Sequence, residues 1–471
     1  MQRLSHLMQI LRRFWNAITF FFQRNHPLQS GHGWIERYLR FRLQNPFDDH
    51  FFENSQDNWL PFDDFLYAVV QENGIFYGCP ILDESLSQTV HSLHFPVEDS
   101  GSLFIYLETL FFVPMRESLV IQPKQPYENR MAHILVKILR FYLPKEKNMM
   151  IHKDLPVSRL FDHAECQRML HLLEDTLINK VHIQDPRLSQ IGSLQNSFIF
   201  PKLFYFFRWY TANLLTEQDG EKDLRKTLDE EFDFRLQVIL VFGALIWSDG
   251  YLADVEMNVM EQYIKQADFP DELQELMLER IQEPMGLDDL HFKIKAMPLK
   301  KYLIERTILL SLIDNQQVTQ ERMMIERIAG MLEMSSDELE IMYDSVGAFF
   351  ARESHRFVFL KNNPMVSQLQ QRFQNKIMNQ IKDNLDKIMI EIKETQELYS
   401  LLVKATSEPL TDEEVVKVRL QLLDILKTIP AIAIFLLPAG AVVLAILIKV
   451  LPFNILPSAF NNDSSIKNKL A

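Results

Sequence analysis

The chain has 471 residues, 47% of them hydrophobic and 11% aromatic, and a formal charge of -14. This composition excludes a disordered chain, and the acidic balance argues against nonspecific binding to nucleic acid. Two cysteines, Cys79 and Cys166, offer neither a disulfide framework nor metal-ligand spacing, which points to a reducing compartment.

The first acid is Glu36, whereas Arg3, Arg12, Arg13 and Arg24 precede it. Leu4, Met8, Leu11, Trp15, Ile18 and Phe22 recur at helical spacing, so residues 1–28 form a basic amphipathic leader helix. Three readings stand for it: an interfacial membrane helix, an organelle presequence, or the first helix of the following domain. Residues 29–225 form a mostly helical domain of no recognised type. Asn73-Gly74 suggests two short strands around Glu72, since Asn-Gly is a strong hairpin signal. Helices are expected at Arg130 to Tyr142, Ser158 to Leu173 and Phe198 to Leu215. The last carries Phe204, Phe206, Phe207, Trp209 and Tyr210, a core or membrane-facing set rather than a base-stacking platform, because basic residues are few.

An acidic turn from Glu217 to Glu231 separates this domain from the next. Phe234 to Trp247 is a strongly apolar helix too short to span a bilayer. It ends at Asp249-Gly250, and the next helix has Asp254 and Glu256 in its first turn, where carboxylates complement the positive helix end. The arrangement recurs at constant offset, matching Asp249 to Asp314, Glu256 to Glu321 and Glu261 to Glu326. Apolar helix, Asp-Gly, turn and acid together resemble the TerB-like family, named for tellurite resistance, over residues 231–347. The resemblance implies a small all-helical bundle with internal pseudosymmetry, although the second copy has Asn315 in place of Gly. Asp249, Asp254, Glu256, Asp314 and Glu321 are the candidate ligands for a divalent cation, since oxygen donors suit hard cations. The competing reading makes the aspartates turn caps and the glutamates solvated first-turn residues.

From Pro364 to about residue 406, Leu369, Phe373, Ile377, Ile381, Leu385, Ile388 and Ile392 share one face. This is a long amphipathic helix whose imperfect heptads favour intramolecular packing over a dimeric stalk. Thr411 with Glu414 three residues later opens a pre-membrane helix over 411–428. Ile429 to Ile448 then carries no charge and is flanked by Lys427 and Lys449. That length matches the hydrocarbon of a bilayer, so one transmembrane helix is expected over 429–448, with a short tail over 449–471.

Pro430 and Pro438, with seven residues between them, followed by Lys449, Pro452, Leu456, Pro457, Ser458 and Phe460, resemble the membrane segment of the LETM family of mitochondrial transmembrane proteins. With the TerB-like stretch, the pattern is similar to bacterial LETM-related proteins associated with biofilms. The resemblance implies cation handling, but the acid that family members place at the position of Ala441 is lacking, and the large calcium-binding domain that follows their span has no counterpart within these 471 residues.

No phosphate loop, HExxH, paired-cysteine or G-x-S-x-G pattern occurs. Asp162, His163, Glu165 and Cys166 are the nearest approach to a catalytic or metal cluster, and helical geometry turns His163 away from Asp162. The resulting expectation is a mainly α protein: a multi-helical soluble body with a TerB-like bundle, a long amphipathic helix and one C-terminal transmembrane helix. It is noncatalytic and needs no cofactor beyond the candidate cation. Its expected partners are membrane lipid and either other proteins or a second copy of itself. The body is expected in the cytoplasm at a bacterial inner membrane. A transport subunit acting as an oligomer is the alternative.

Overall fold

The computed structural model describes residues 32–44, 46–47, 61–77, 100–122, 124–144, 146, 157, 163–181, 198–214, 221–287, 290, 293–312, 319–353, 364–405 and 408–451. Among them helix dominates and no strand occurs. The chain divides into two compact units between Leu303 and Ile304, a point that falls inside the 231–347 stretch. The leader helix expected over 1–28 lies outside the described residues.

The first unit is built from α1 (Trp34–Gln44), α2 (Phe62–Glu72), α3 (Ser100–Ile121), α4 (Tyr127–Tyr142), α5 (Ala164–Val181), α6 (Ile199–Ala212), α7 (Glu221–Ile246), α8 (Asp254–Gln266) and α9 (Asp271–Arg280). The helix α10 (Met297–Leu310) carries the division between units. Leu103 to Met115 of α3 is buried throughout, a mostly apolar stretch whose one carboxylate, Glu108, is buried with it. α6 packs on α7 and α3. Its Phe204, Phe206, Phe207, Trp209 and Tyr210 are all core residues, and Phe206 meets Phe141 edge to face at 5.3 Å between ring centroids.

Three sequence expectations change here. Glu72-Asn73-Gly74 ends a helix instead of turning a hairpin: α2 runs to Glu72 and a 3-10 turn follows at Ile75–Tyr77. Gly74 takes φ +75° and the Asn73 side-chain oxygen accepts the Ile75 N–H at 3.1 Å, so the same two residues serve a helix terminus. The acidic turn is largely helix, because α7 begins at Glu221. Interleaved cations explain this, with Lys226 meeting Glu230 at 3.9 Å and Arg235 meeting Glu231 at 2.9 Å, one turn apart. The helix expected from Ser158 starts at Ala164, and 158–162 lie outside the described residues.

The second unit continues with α11 (Thr319–Met331), α12 (Ser336–Glu353), α13 (Pro364–Asp383), α14 (Leu385–Glu394), α15 (Gln396–Lys404), α16 (Asp412–Lys427) and α17 (Pro430–Val450). The long helix expected over 364–406 is thus three. Asn384 donates to the Gln380 carbonyl at 2.9 Å and Thr395 to the Glu391 carbonyl at 2.8 Å, side-chain bonds that compete with the ladder at each break. Its apolar stripe is nevertheless as expected, with Phe373, Ile377, Ile381, Ile388 and Ile392 at 0–1% exposure. That stripe belongs to a core shared with α16 and α17.

Candidate functional site

The Asp249 loop is built by chain reversal after α7. Gly250 takes φ +84°, and the Asp249 side chain accepts the Tyr251 N–H at 2.9 Å, forming a turn of the Asx type. Glu256 is 8% exposed and its carboxylate accepts the Ala253 N–H at 2.9 Å, which satisfies an orphan donor at the start of α8. Asp254 is exposed in the same first turn. In the second copy Glu321 is buried in the first turn of α11, whereas Asp314 lies outside the described residues. The buried glutamates depart from the solvated first turns expected of the cap reading, while the bonds of Asp249 and Glu256 are those of capping residues. The two copies fall in different units. Among the described residues no group of three His, Cys, Asp or Glu side chains is placed to hold a metal ion.

The cluster near Cys166 does not converge either. His163 and Glu165 are exposed, Cys166 is buried at 3%, and Asp162 lies outside the described residues. Burial pushes the Cys166 thiol up to about 11, which removes thiolate at neutral pH.

At the end of the second unit, Thr411 and Glu414 form the expected capping box: the Glu414 N–H reaches Thr411 Oγ1 at 3.3 Å and the Thr411 N–H reaches the Glu414 carboxylate at 2.9 Å. α16 then leads through Thr428 and Ile429 into α17, with Pro430 in the first turn, where its missing donor costs nothing. α17 packs on α13, α12 and α16. Ile432, Leu436, Val443, Leu444 and Leu447 are 0–2% exposed in the core that also holds Phe373, Ile377, Leu422 and Leu426. Pro430, Ala431, Ala445 and Lys449 are exposed. Among the described residues no helix is long and apolar enough to cross a membrane. The side chains of Ile434, Phe435, Leu437, Pro438, Ala439 and Ala441 on this helix lie outside that description, as do Pro452, Leu456, Pro457, Ser458 and Phe460 beyond it.

Two polar constructions escaped sequence reasoning. Glu174, fully buried on α5, accepts the N–H groups of Gly33 and Ile35 at 2.8 Å each and so caps α1 from 139 to 141 residues away. Arg42 and Glu108 form a buried two-pronged ion pair between α1 and α3, with Arg42 Nε at 2.9 Å from the carboxylate. Neither has a local pattern, because the partners are joined only by tertiary packing.

These features define the class as an all-α protein with an apolar helix, α17, packed by one face into the core of the second unit, and with no group of three potential metal-ligating side chains among the described residues. No family model, curated protein or solved structure matches the chain.

Proposed function

We propose that the chain is a noncatalytic, membrane-anchored protein related to the LETM family, whose helical body binds other proteins or responds to cations at the membrane in envelope or biofilm physiology. The observation that carries this reading is the uncharged run from Ile429 to Ile448 between Lys427 and Lys449. A helix of that length rises about 30 Å, the thickness of bilayer hydrocarbon. The Pro430, Pro438 and Lys449 spacing supports LETM kinship. The lack of an ionisable group in the run favours anchoring over ion passage. An unreactive Cys166 and the absence of catalytic motifs support a noncatalytic role.

In this reading the body stays in the cytoplasm of a bacterial cell and α17 holds it to the inner membrane. Carbonate washing and protease treatment of inverted membrane vesicles test it. The expected result is a full chain whose membrane-bound fraction resists extraction and is digested from the cytoplasmic face. Complete release by carbonate would overturn the anchor, and protection of the body would overturn its placement. The transport alternative requires K⁺, H⁺ or Ca²⁺ flux by the purified chain in liposomes, and flux no greater than in empty vesicles removes it.

A further inference from the structure

We propose that α17 exchanges between two apolar environments, a helical sheath made by α12, α13 and α16 and the hydrocarbon of a bilayer, so that the second unit is the closed form of an insertable protein. The inference rests on the membrane reading of the same helix and adds that attachment is regulated by the sheath rather than constitutive.

Three observations carry it. First, one face of α17 is packed as a core: Ile432, Leu436, Val443 and Leu447 are at most 1% exposed, in a cluster with Phe373 of α13 and Leu422 of α16. Second, among the described residues its outward positions before Lys449 do not become polar as those of an ordinary bundle helix do. α13 turns Gln371, Arg372, Gln374 and Asn375 to solvent, whereas α17 exposes Ala431 and Ala445 and half-exposes Val442 and Ile448. The uncharged character extends from Pro430 to Ile448, further than burial on one side requires.

Third, the clasps around the sheath are ion pairs at its rim. Lys376 meets Asp344 between α13 and α12, Lys404 meets Glu414 at 2.6 Å between α15 and α16, and Lys417 meets Glu397 between the same two helices. The lysines are half-exposed and the two pairs to α16 lie at the surface, where ion pairs are individually weak, whereas the Asp344 carboxylate is buried between α12 and α13. The joint between α16 and α17 is short: Ile429 is extended at φ -100°, ψ 105°, and Pro430 supplies no N–H to bond across it. Moving α17 into lipid exchanges one apolar contact for another, so the equilibrium is set by how well the sheath packs rather than by the total area buried. The apolar stripes of α13 and α16, once uncovered, have the form of interfacial helices.

The test is flotation of the full chain with neutral phosphatidylcholine vesicles, which removes any contribution of lipid charge. Two variants separate the states. Phe373→Ala loosens the sheath and leaves α17 untouched, and it should raise the vesicle-bound fraction at least severalfold. Ala445→Asp places a charge at a position exposed in the closed form, so helicity and melting should persist while binding falls about a hundredfold. The double variant should bind no better than Ala445→Asp alone, which distinguishes insertion from unfolding and nonspecific adhesion. Equal tight binding of wild type and Phe373→Ala would leave the anchor standing and overturn the sheath. No binding by either chain would overturn the membrane reading and the sheath with it. Adhesion of Phe373→Ala that Ala445→Asp does not abolish would overturn insertion of α17.

Discussion

Cys166 shows how surroundings decide the chemistry of a side chain. In sequence it lies beside Asp162, His163 and Glu165, residue types of a catalytic or metal cluster, yet it is buried on α5 while His163 and Glu165 face water. With its pKa raised by burial and by the Glu36 carboxylate, Cys166 in a Cys79→Ser chain should react with a disulfide reagent at pH 7 only after denaturant is added. Rapid modification of the folded chain would contradict this. Arg42 and Glu108 pose the opposite case, two charges removed from water together. Glu108→Gln leaves the Arg42 charge without its counterion and should cost about 3–5 kcal/mol of stability in urea unfolding. Replacing both residues by apolar side chains of similar volume should cost far less.

Asp344 links residue chemistry to the joining of α12 and α13. Burial lifts its carboxyl above the ordinary value of 3.8, while the Lys376 ammonium pulls it the other way. A carboxyl raised in the folded state binds its proton more readily there than in the unfolded chain. Stability linked to Asp344 therefore falls as the pH rises above 3.8 through the folded value, and then levels off. Asp344→Asn should flatten that slope in melts taken at increasing pH from 3.8 upward.

Between elements, the crossing of α12 and α13 depends on Gly347, where a Cβ would lie 2.7 Å from the Leu369 carbonyl oxygen. Neither backbone can yield without shifting a helix, so Gly347→Ala should lower the stability of the second unit by about 1–3 kcal/mol. A melt unchanged from wild type would show that the helices separate at no cost. The start of α8 is a different construction, in which Glu256 is spent on a backbone donor. Glu256→Ala should cost about 1 kcal/mol, equally with and without millimolar Ca²⁺ or Mg²⁺. A cation-induced rise in melting temperature that the variant loses would instead restore the cation reading of this motif.

For the molecule as a whole, α17 is a structural member of the second unit as well as the proposed anchor. Ending the chain at Thr428 would uncover Phe373, Ile377, Ile381, Leu422 and Leu426, each worth about 1.5–3 kcal/mol when buried. Hydrogen exchange should then become fast along α13 and α16 while α3, α4 and α6 of the first unit keep their protection. Protection retained along α13 would mean that α17 contributes nothing to that core.

Periodicity carried much of this protein. The stripe from Leu369 to Ile392, the Thr411–Glu414 capping box, Pro430 at a helix start and the buried aromatics of α6 all follow from local spacing, because side-chain direction along a helix is set by its 3.6-residue turn. The helix breaks at Asn384 and Thr395, the use of Asn73-Gly74 to end a helix, and the Arg42–Glu108 and Glu174 contacts were decided by tertiary structure. In each, the winning partner is either a competing local hydrogen bond of similar strength or a group far away in the chain. The uncharged run at 429–448 lies between these cases. Its composition specifies an apolar surrounding, and packing against α12, α13 and α16 shows that helices of the same chain can supply one. Hydrophobic burial has no direction and does not distinguish protein from lipid, so composition determined that α17 must be covered, and only the fold placed a cover there.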